Sequence, residues 1–171
     1  MTLKRDVTVN GRAVIVAKSP DRFRIEVFAP LGQVAATLAS DGATLMVFSD
    51  GRLRSYDWTD PFFPYSFSSG DLVALLTGSG PFEGETTDRT GRRLRYSYET
   101  GPGGRPSVVT KTVEGREVLR AKLGDWRVVD GRVVPHRISI DDGTQLIDIR
   151  YSSVEAAPEV GPEVFSIPEG R

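Results

Sequence analysis

The chain has 171 residues, enough for one domain with a sizeable core, and its apolar and charged fractions are ordinary for a globular protein. Its 22 basic and 23 acidic residues leave a net charge of −1, so overall charge makes no case for nucleic acid or an anionic membrane surface. There is no cysteine, which excludes disulfides and thiolate-held metals, and no apolar run approaches the ~20 residues of a membrane-spanning helix. The opening Met1-Thr2-Leu3-Lys4-Arg5-Asp6 is neither a signal nor a transit peptide. Strand-like sequence begins almost at once, which suggests a chain trimmed from a longer precursor.

Leu3 to Val9 alternates weakly and Asn10-Gly11 offers a turn. Ala13 to Ala17 is a short apolar run that stops at Ser19-Pro20. From Arg22 to Val27 the alternation is strict: Phe23, Ile25 and Val27 point one way, Arg22, Arg24 and Glu26 the other, as in a half-buried strand. The strand stops at Phe28-Ala29-Pro30-Leu31-Gly32, because proline donates nothing to a ladder and glycine turns freely. Val34 to Leu38 returns as the second arm of the hairpin. Connecting turns are usually polar, so Phe28, Pro30 and Leu31 form an apolar tip that either contacts a membrane or partner, or folds back over a sheet edge. Ala43 to Phe48 is apolar on both faces and is expected to be covered on both sides. Asp50-Gly51 then turns into Arg52 to Trp58. With Asn10-Gly11 and Asp130-Gly131 it suits two-residue hairpins, and Asp41-Gly42, Glu114-Gly115 and Asp142-Gly143 add weaker turns. Turns at such short intervals describe an antiparallel meander.

Thr59 to Phe67 is rich in proline and aromatics and reads as an ordered loop on apolar surface. Ser68 or Ser69 then offers an N-cap, Asp71 an acid in the first turn, and Gly78 a C-cap. Leu72, Val73, Leu75 and Leu76 share one face of this helix, Asp71 to Thr77. It serves either as a core plug or as a lid over a cavity. After Gly84 strands resume at Arg92 to Tyr98, with Leu94, Tyr96 and Tyr98 on one face. Gly101-Pro102-Gly103-Gly104 is a loose tip. Val108 to Val113, Val118 to Leu123, Trp126 to Val129, Val133 to Ile140 and Leu146 to Tyr151 complete about ten strands. Glu155 to Glu163 is an acidic, proline-rich crossing. One helix, about 10–12 Å across, cannot cover so many strands, so the sheet must curl on itself. The expectation is a mainly β (α+β) chain, residues 1–171 as one domain, in which a single curved antiparallel sheet forms an open, unclosed β-barrel with a short helical lid.

Catalytic chemistry finds little support. His136 is the sole histidine, which excludes two-histidine metal sites, and it shares a face with Val134, Ile138 and Ile140. A serine triad lacks its elbow motif, since Gly78-Ser79-Gly80 has the wrong spacing. The glycines after Thr100 lack the lysine and helix of a phosphate loop. Asp141 and Asp142 read as turn acids. Arg12, Arg52, Arg92, Arg116 and Arg132 each follow a turn glycine and read as solvated hairpin starts, or as a basic patch if they line one rim.

Asp21-Arg22-Phe23-Arg24, Pro30-Leu31-Gly32 and Asp71-Leu72 to Gly78, with Val133 to Ile138 and Phe165 to Gly170, resemble the bacterial lipoprotein-sorting family of LolA and LolB. The outer-membrane receptor LolB is the nearer match. The likeness runs from about Ala13 to the end, with its specific part in the central third. It implies an open barrel with an apolar cavity for acyl chains, and a projecting leucine, here Leu31, that acts in delivery to the membrane. The family's N-terminal helix, much of its first strand and its lipid-bearing cysteine have no counterpart in this sequence.

The resulting expectation is a non-enzymatic, cofactor-free and metal-free lipid-binding monomer. Phe23, Ile25, Val27, Leu38, Val47, Leu94 and Tyr96 would surround the cavity, with Leu72, Leu75 and Leu76 capping it. Phe28, Pro30 and Leu31 would contact the membrane or a partner. The implied partners are acylated lipoproteins and a periplasmic LolA-type carrier, at the periplasmic face of the outer membrane, with a lipid anchor on the native protein. The rival readings are a sensor or interaction module with a small or filled cavity, and a hydrolase using His136.

Overall fold

Tight turns set the architecture. At Asp50-Gly51, Glu114-Gly115 and Asp130-Gly131 both central residues have positive φ (52° and 68°, 50° and 79°, 48° and 77°), the hairpin geometry that matches the twist of flanking strands. In the computed structural model, which describes residues 11–58, 66–80, 82–88, 90–156 and 159–168, these turns join antiparallel strands throughout. The expected strand Leu3 to Val9, the Asn10-Gly11 turn and most of the loop from Thr59 lie outside the described residues.

The strands are β1 (Arg12–Lys18), β2 (Arg22–Phe28), β3 (Val34–Ser40), β4 (Thr44–Ser49) and β5 (Arg52–Asp57), then, after helix α1 (Ser69–Thr77), β6 (Gly84–Thr87), β7 (Arg93–Thr100), β8 (Pro106–Val113), β9 (Arg116–Val129), β10 (Arg132–Asp141) and β11 (Leu146–Arg150). The protein is mainly β, antiparallel and unclosed, with a short helix. The ladders differ from the single curved sheet expected: among the described residues they form a five-stranded sheet, β1 to β5 in order, and a six-stranded sheet, β11 to β6 in order. The division falls where the chain spends itself on α1, whose backbone bonds are internal and join no ladder. Val118 to Leu123 and Trp126 to Val129 also prove to be one strand, β9. Asp125 has φ 52°, yet the ladder to β10 runs on from Arg137–Gly124 to Pro135–Trp126, so the break in pattern is a twist rather than an end.

Cross-strand registers place the apolar residues in rows. In the first sheet Ile15, Ile25, Leu38 and Val47 lie opposite one another in turn, and Ala17, Phe23, Ser40, Leu45 and Tyr56 form the next row. In the second, Tyr98, Val109, Ala121, Ile140 and Ile147 form one row, and Leu123, Ile138 and Ile149 another. Leu72, Val73, Leu75 and Leu76 of α1 join both sets in one core. The opposite face of β2 is covered by the C-terminal segment. Arg24 donates to the carbonyls of Val164 and Ser166, Lys18 donates to that of Val160, and Phe165 is fully buried.

A nine-residue helix is too short to be stable on its own propensity, so its ends must be fixed. Ser68 accepts from the Asp71 amide and Asp71 accepts from the Ser68 amide, a reciprocal cap. The Asp71 carboxylate also accepts from Lys111 Nζ at 2.6 Å and from the Tyr96 hydroxyl at 3.0 Å. Lys111 donates further to the Ser66 carbonyl and stands 5.7 Å from the Tyr96 ring centroid. At the other end Gly78 is left-handed (φ 69°), and a Cβ there would come within 2.6 Å of Trp126. Tyr151 donates to the Leu76 carbonyl at 3.0 Å.

Two expectations follow. Lys111→Ala leaves a part-buried carboxylate without its cation and should cost a few kcal/mol, about 3 at most, in a urea melt, whereas Lys111→Met with Asp71→Asn should cost distinctly less. Burial raises the Tyr96 hydroxyl pKa, helped by the Asp71 charge and hydrogen bond, and burial alone raises that of Tyr151. Because the folded values lie above the unfolded value of about 10, the stability these groups contribute is complete below that pH and is lost as pH rises past it. Denaturation midpoints taken across the alkaline range should fall less steeply for Tyr96→Phe and Tyr151→Phe than for the wild type.

Candidate functional site

The hairpin between β2 and β3 ends in a self-contained turn. The Ala29 amide donates to Gln33 O and the Gly32 amide to Ala29 O, both at 2.9 Å, while Pro30 has no amide hydrogen to satisfy. Gly32 supplies the positive φ, 87°, that the turn requires. The register shifts between Val27 and Phe28, so the turn stands beyond the regular ladder. Leu31 is 89% exposed, Pro30 is exposed and Phe28 is half-buried. The alternative in which the tip folds back over an edge is therefore not the one adopted. Exposed Val34 extends the same apolar surface at the start of β3. Arg12 lies opposite Phe28, and Arg52 begins β5 at the same end of the sheet; Arg92 is paired with Asp88 far along the chain.

Behind the tip lies the inner face of the first sheet. Burial along it is graded. Phe23 is 1% exposed and Leu45 3%, while Ile25, Val27, Leu38 and Val47 are only half-buried. The fully buried end is the one that meets α1, where Leu72, Leu75 and Leu76 are packed into the common core. Ile25, Leu38 and Val47 pack against that core from its margin. From the second sheet, Leu94 and Tyr96 are half-buried. The structure thus brings Phe23, Ile25, Leu38, Val47, Leu72, Leu75 and Leu76 together, and ties Tyr96 to α1 through Asp71. Val27 sits farthest along β2, next to the tip.

A separate open cleft of about 440 Å³ runs beside α1, between the Ser19-Pro20 turn and β6. Gly70, Asp71, Ala74, Glu83, Glu85 and Tyr96 are among its lining residues, so only Tyr96 is shared with the expected cavity. Sequence reasoning did not single out β6 or Lys111. The lysine carried a usable signal: Val109, Lys111 and Val113 alternate in phase, which places a cation on an inward face where it must find a partner.

His136 is buried, with Nδ1 3.2 Å from the Val134 carbonyl and its ring edge-on to Tyr151 at 6.0 Å between centroids. Asp125 lies across the ladder, but its carboxylate is paired with Arg127 at 2.6 Å, which lowers its pKa. Asp141 and Asp142 organise their own turn: Asp141 accepts from the Gly143 amide, and Asp142 from Thr144 and Gln145. Among the described residues no cluster of three or more acidic or histidine side chains could hold a metal ion, and no helix is long and apolar enough to cross a membrane.

No family model matches the chain, and no curated protein matches it. Among solved structures it is similar to a LolA superfamily protein from Nitrosomonas europaea, with a TM-score of 0.57 over 96% of this chain and 86% of that one at 13% sequence identity. The fold is therefore LolA-like.

For the tip, Leu31→Glu should shift stability by no more than about 0.5 kcal/mol, because the side chain is already in water. A loss of several kcal/mol in a chemical melt would mean that the leucine is buried in solution.

Proposed function

We propose that this protein binds the acyl chains of lipoproteins and helps to receive or insert them at the outer membrane. It would work at the periplasmic face, with acylated lipoproteins and a LolA-type carrier as partners. The observation that carries the reading is Leu31, a fully presented leucine on a turn whose own hydrogen bonds are closed. Inserting one leucine into a bilayer contributes about 1.5–3 kcal/mol, enough for reversible docking and far too little for permanent anchoring. The graded interior supports the same reading: the half-buried apolar rows lie at the tip end of the sheet, where an acyl chain handed across would meet them. Each methylene sheltered there would contribute ~0.8 kcal/mol. The LolA-like fold is consistent with such a role.

One observation favours a second reading. The α1 end of the interior is solidly packed, and the cleft beside the helix has acidic residues in its lining. A protein-interaction or sensor module would have this character.

Two measurements on the same preparations separate the readings: binding of an acylated peptide against its unacylated form, and transfer of that peptide to liposomes. The expected result is binding that depends on the acyl chain, and Leu31→Glu that retains binding but loses transfer. Equal binding of both peptides would favour the interaction module and sink the lipid-carrier reading.

A further inference from the structure

The outer face of the second sheet carries a charge arrangement that folding leaves unresolved. Arg137 of β10 and Arg150 of β11 lie directly opposite one another in the ladder. On the other side of Arg137 the register places Gly124 of β9, so no side chain fills that position. The adjoining row on the same face is Lys122, Ser139 and Asp148. These residues, with Leu123, Ile138 and Ile149, line an open groove of about 320 Å³.

Like charges directly opposed across a ladder repel, and sheets ordinarily place an acid in one of the two positions. Here neither arginine makes an ion pair among the described residues, nor does Lys122. Elsewhere in the chain Arg24, Arg92, Arg95, Arg120 and Arg127 each have a carboxylate, while others such as Arg116 and Arg132 make no ion pair among the described residues but stand at turns, where no second cation opposes them. Asp148, the one acid in the groove, makes no salt bridge to any of the three cations, and Asp125, which feels the Arg137 charge, is itself bonded to Arg127. Two arginines, a lysine and a serine thus share one face of the sheet and line a groove over a position that carries no side chain. That donor set suits a small tetrahedral dianion, which accepts several charge-assisted bonds at once and relieves the repulsion.

We infer that the groove over Gly124, between Arg137, Arg150, Lys122 and Ser139, binds a phosphate monoester group. Its four polar residues are on the face opposite the core, and none of them belongs to the Leu31 tip or to the core cluster. The monoester is carried either by a soluble metabolite or by a lipid headgroup.

Thermal melts of the full chain, in glycerol phosphate and in sodium chloride at matched ionic strength, test the site together with binding to vesicles containing phosphatidic acid. The expected results have opposite signs. In chloride, Arg150→Ser melts higher than the wild type, because the opposed charge is gone. In glycerol phosphate the wild type gains a saturable rise in melting temperature that Arg150→Ser and Arg137→Ser each lose. Arg116→Ser, an equal charge change at a distant turn, keeps the rise. A rise in solution identifies a soluble ligand. Its absence, with vesicle binding that Arg137→Ser weakens by tenfold or more, identifies a headgroup, and either result supports the site. Equal melts in both salts with no such loss on vesicles overturn it. A rise that Arg116→Ser removes as well also overturns it, since the effect is then bulk charge.

Discussion

One carboxylate fixes how the helix at the centre of this protein docks on the second sheet. The sheets share no ladder among the described residues, so their relation depends on the side chains packed between them and on the helix that supplies the middle of that packing. Apolar contacts hold such a helix in place but specify its rotation and slide poorly, since many positions bury nearly the same area. Asp71 removes that freedom. It caps its own helix through Ser68, and binds Lys111 of β8 and Tyr96 of β7, so three directional bonds agree in only one position. Gly78 and Trp126 fix the other end by close approach rather than by charge. A buried ion pair is a weak source of net stability. Its contribution here is to select one docking of α1 against the second sheet.

That selection decides which parts of the interior are filled. Where α1 lies, Phe23 and Leu45 are closed off completely. Two and four residues farther along β2, Ile25 and Val27 face the same way but remain half-buried, Ile25 at the margin of the core. The same holds across the ladder for Leu38 and Val47. The helix is only nine residues long, about 13–14 Å at the usual rise per residue, shorter than strands such as β9 and β10.

Local features of the chain were legible because local chemistry dictates them. The Asp-Gly and Glu-Gly turns need positive φ, and their strands follow. The α1 caps need a serine and a glycine, and Ser68 and Gly78 supply them. The inward set Phe23, Ile25, Leu38 and Val47 follows from period two plus the register those turns impose. The outward Leu31 is visible as an apolar residue in a turn that has no reason to be apolar, although whether it stands exposed or folds back depends on the tertiary fold. Long-range pairing was not legible. Nothing local states that β5 and β6 fail to join, that Asp125 bends β9 without ending it, or that Arg137 lands opposite Arg150. Lys111 lies between these cases: its phase predicts burial, but its partner is 40 positions away and belongs to a helix.

The tip and the half-buried rows are at the same end of one sheet, and the reason is structural. β2 leads from the fully buried Phe23 to the half-buried Phe28, and the chain then turns at exposed positions. Apolar residues at such a place are exposed by construction, so a sequence under pressure only to fold would set polar residues there, as it does at Asp50-Gly51 on the neighbouring hairpin. Leu31 instead continues the apolar character of Val27 and Phe28 past the end of the ladder. Apolar side chains thus run from the closed core end of β2 through half-buried positions to a fully exposed tip. A fully closed core would be more stable by roughly 25 cal/mol for each Å² of those rows taken from water, so the open end of the sheet is a cost that folding alone does not explain.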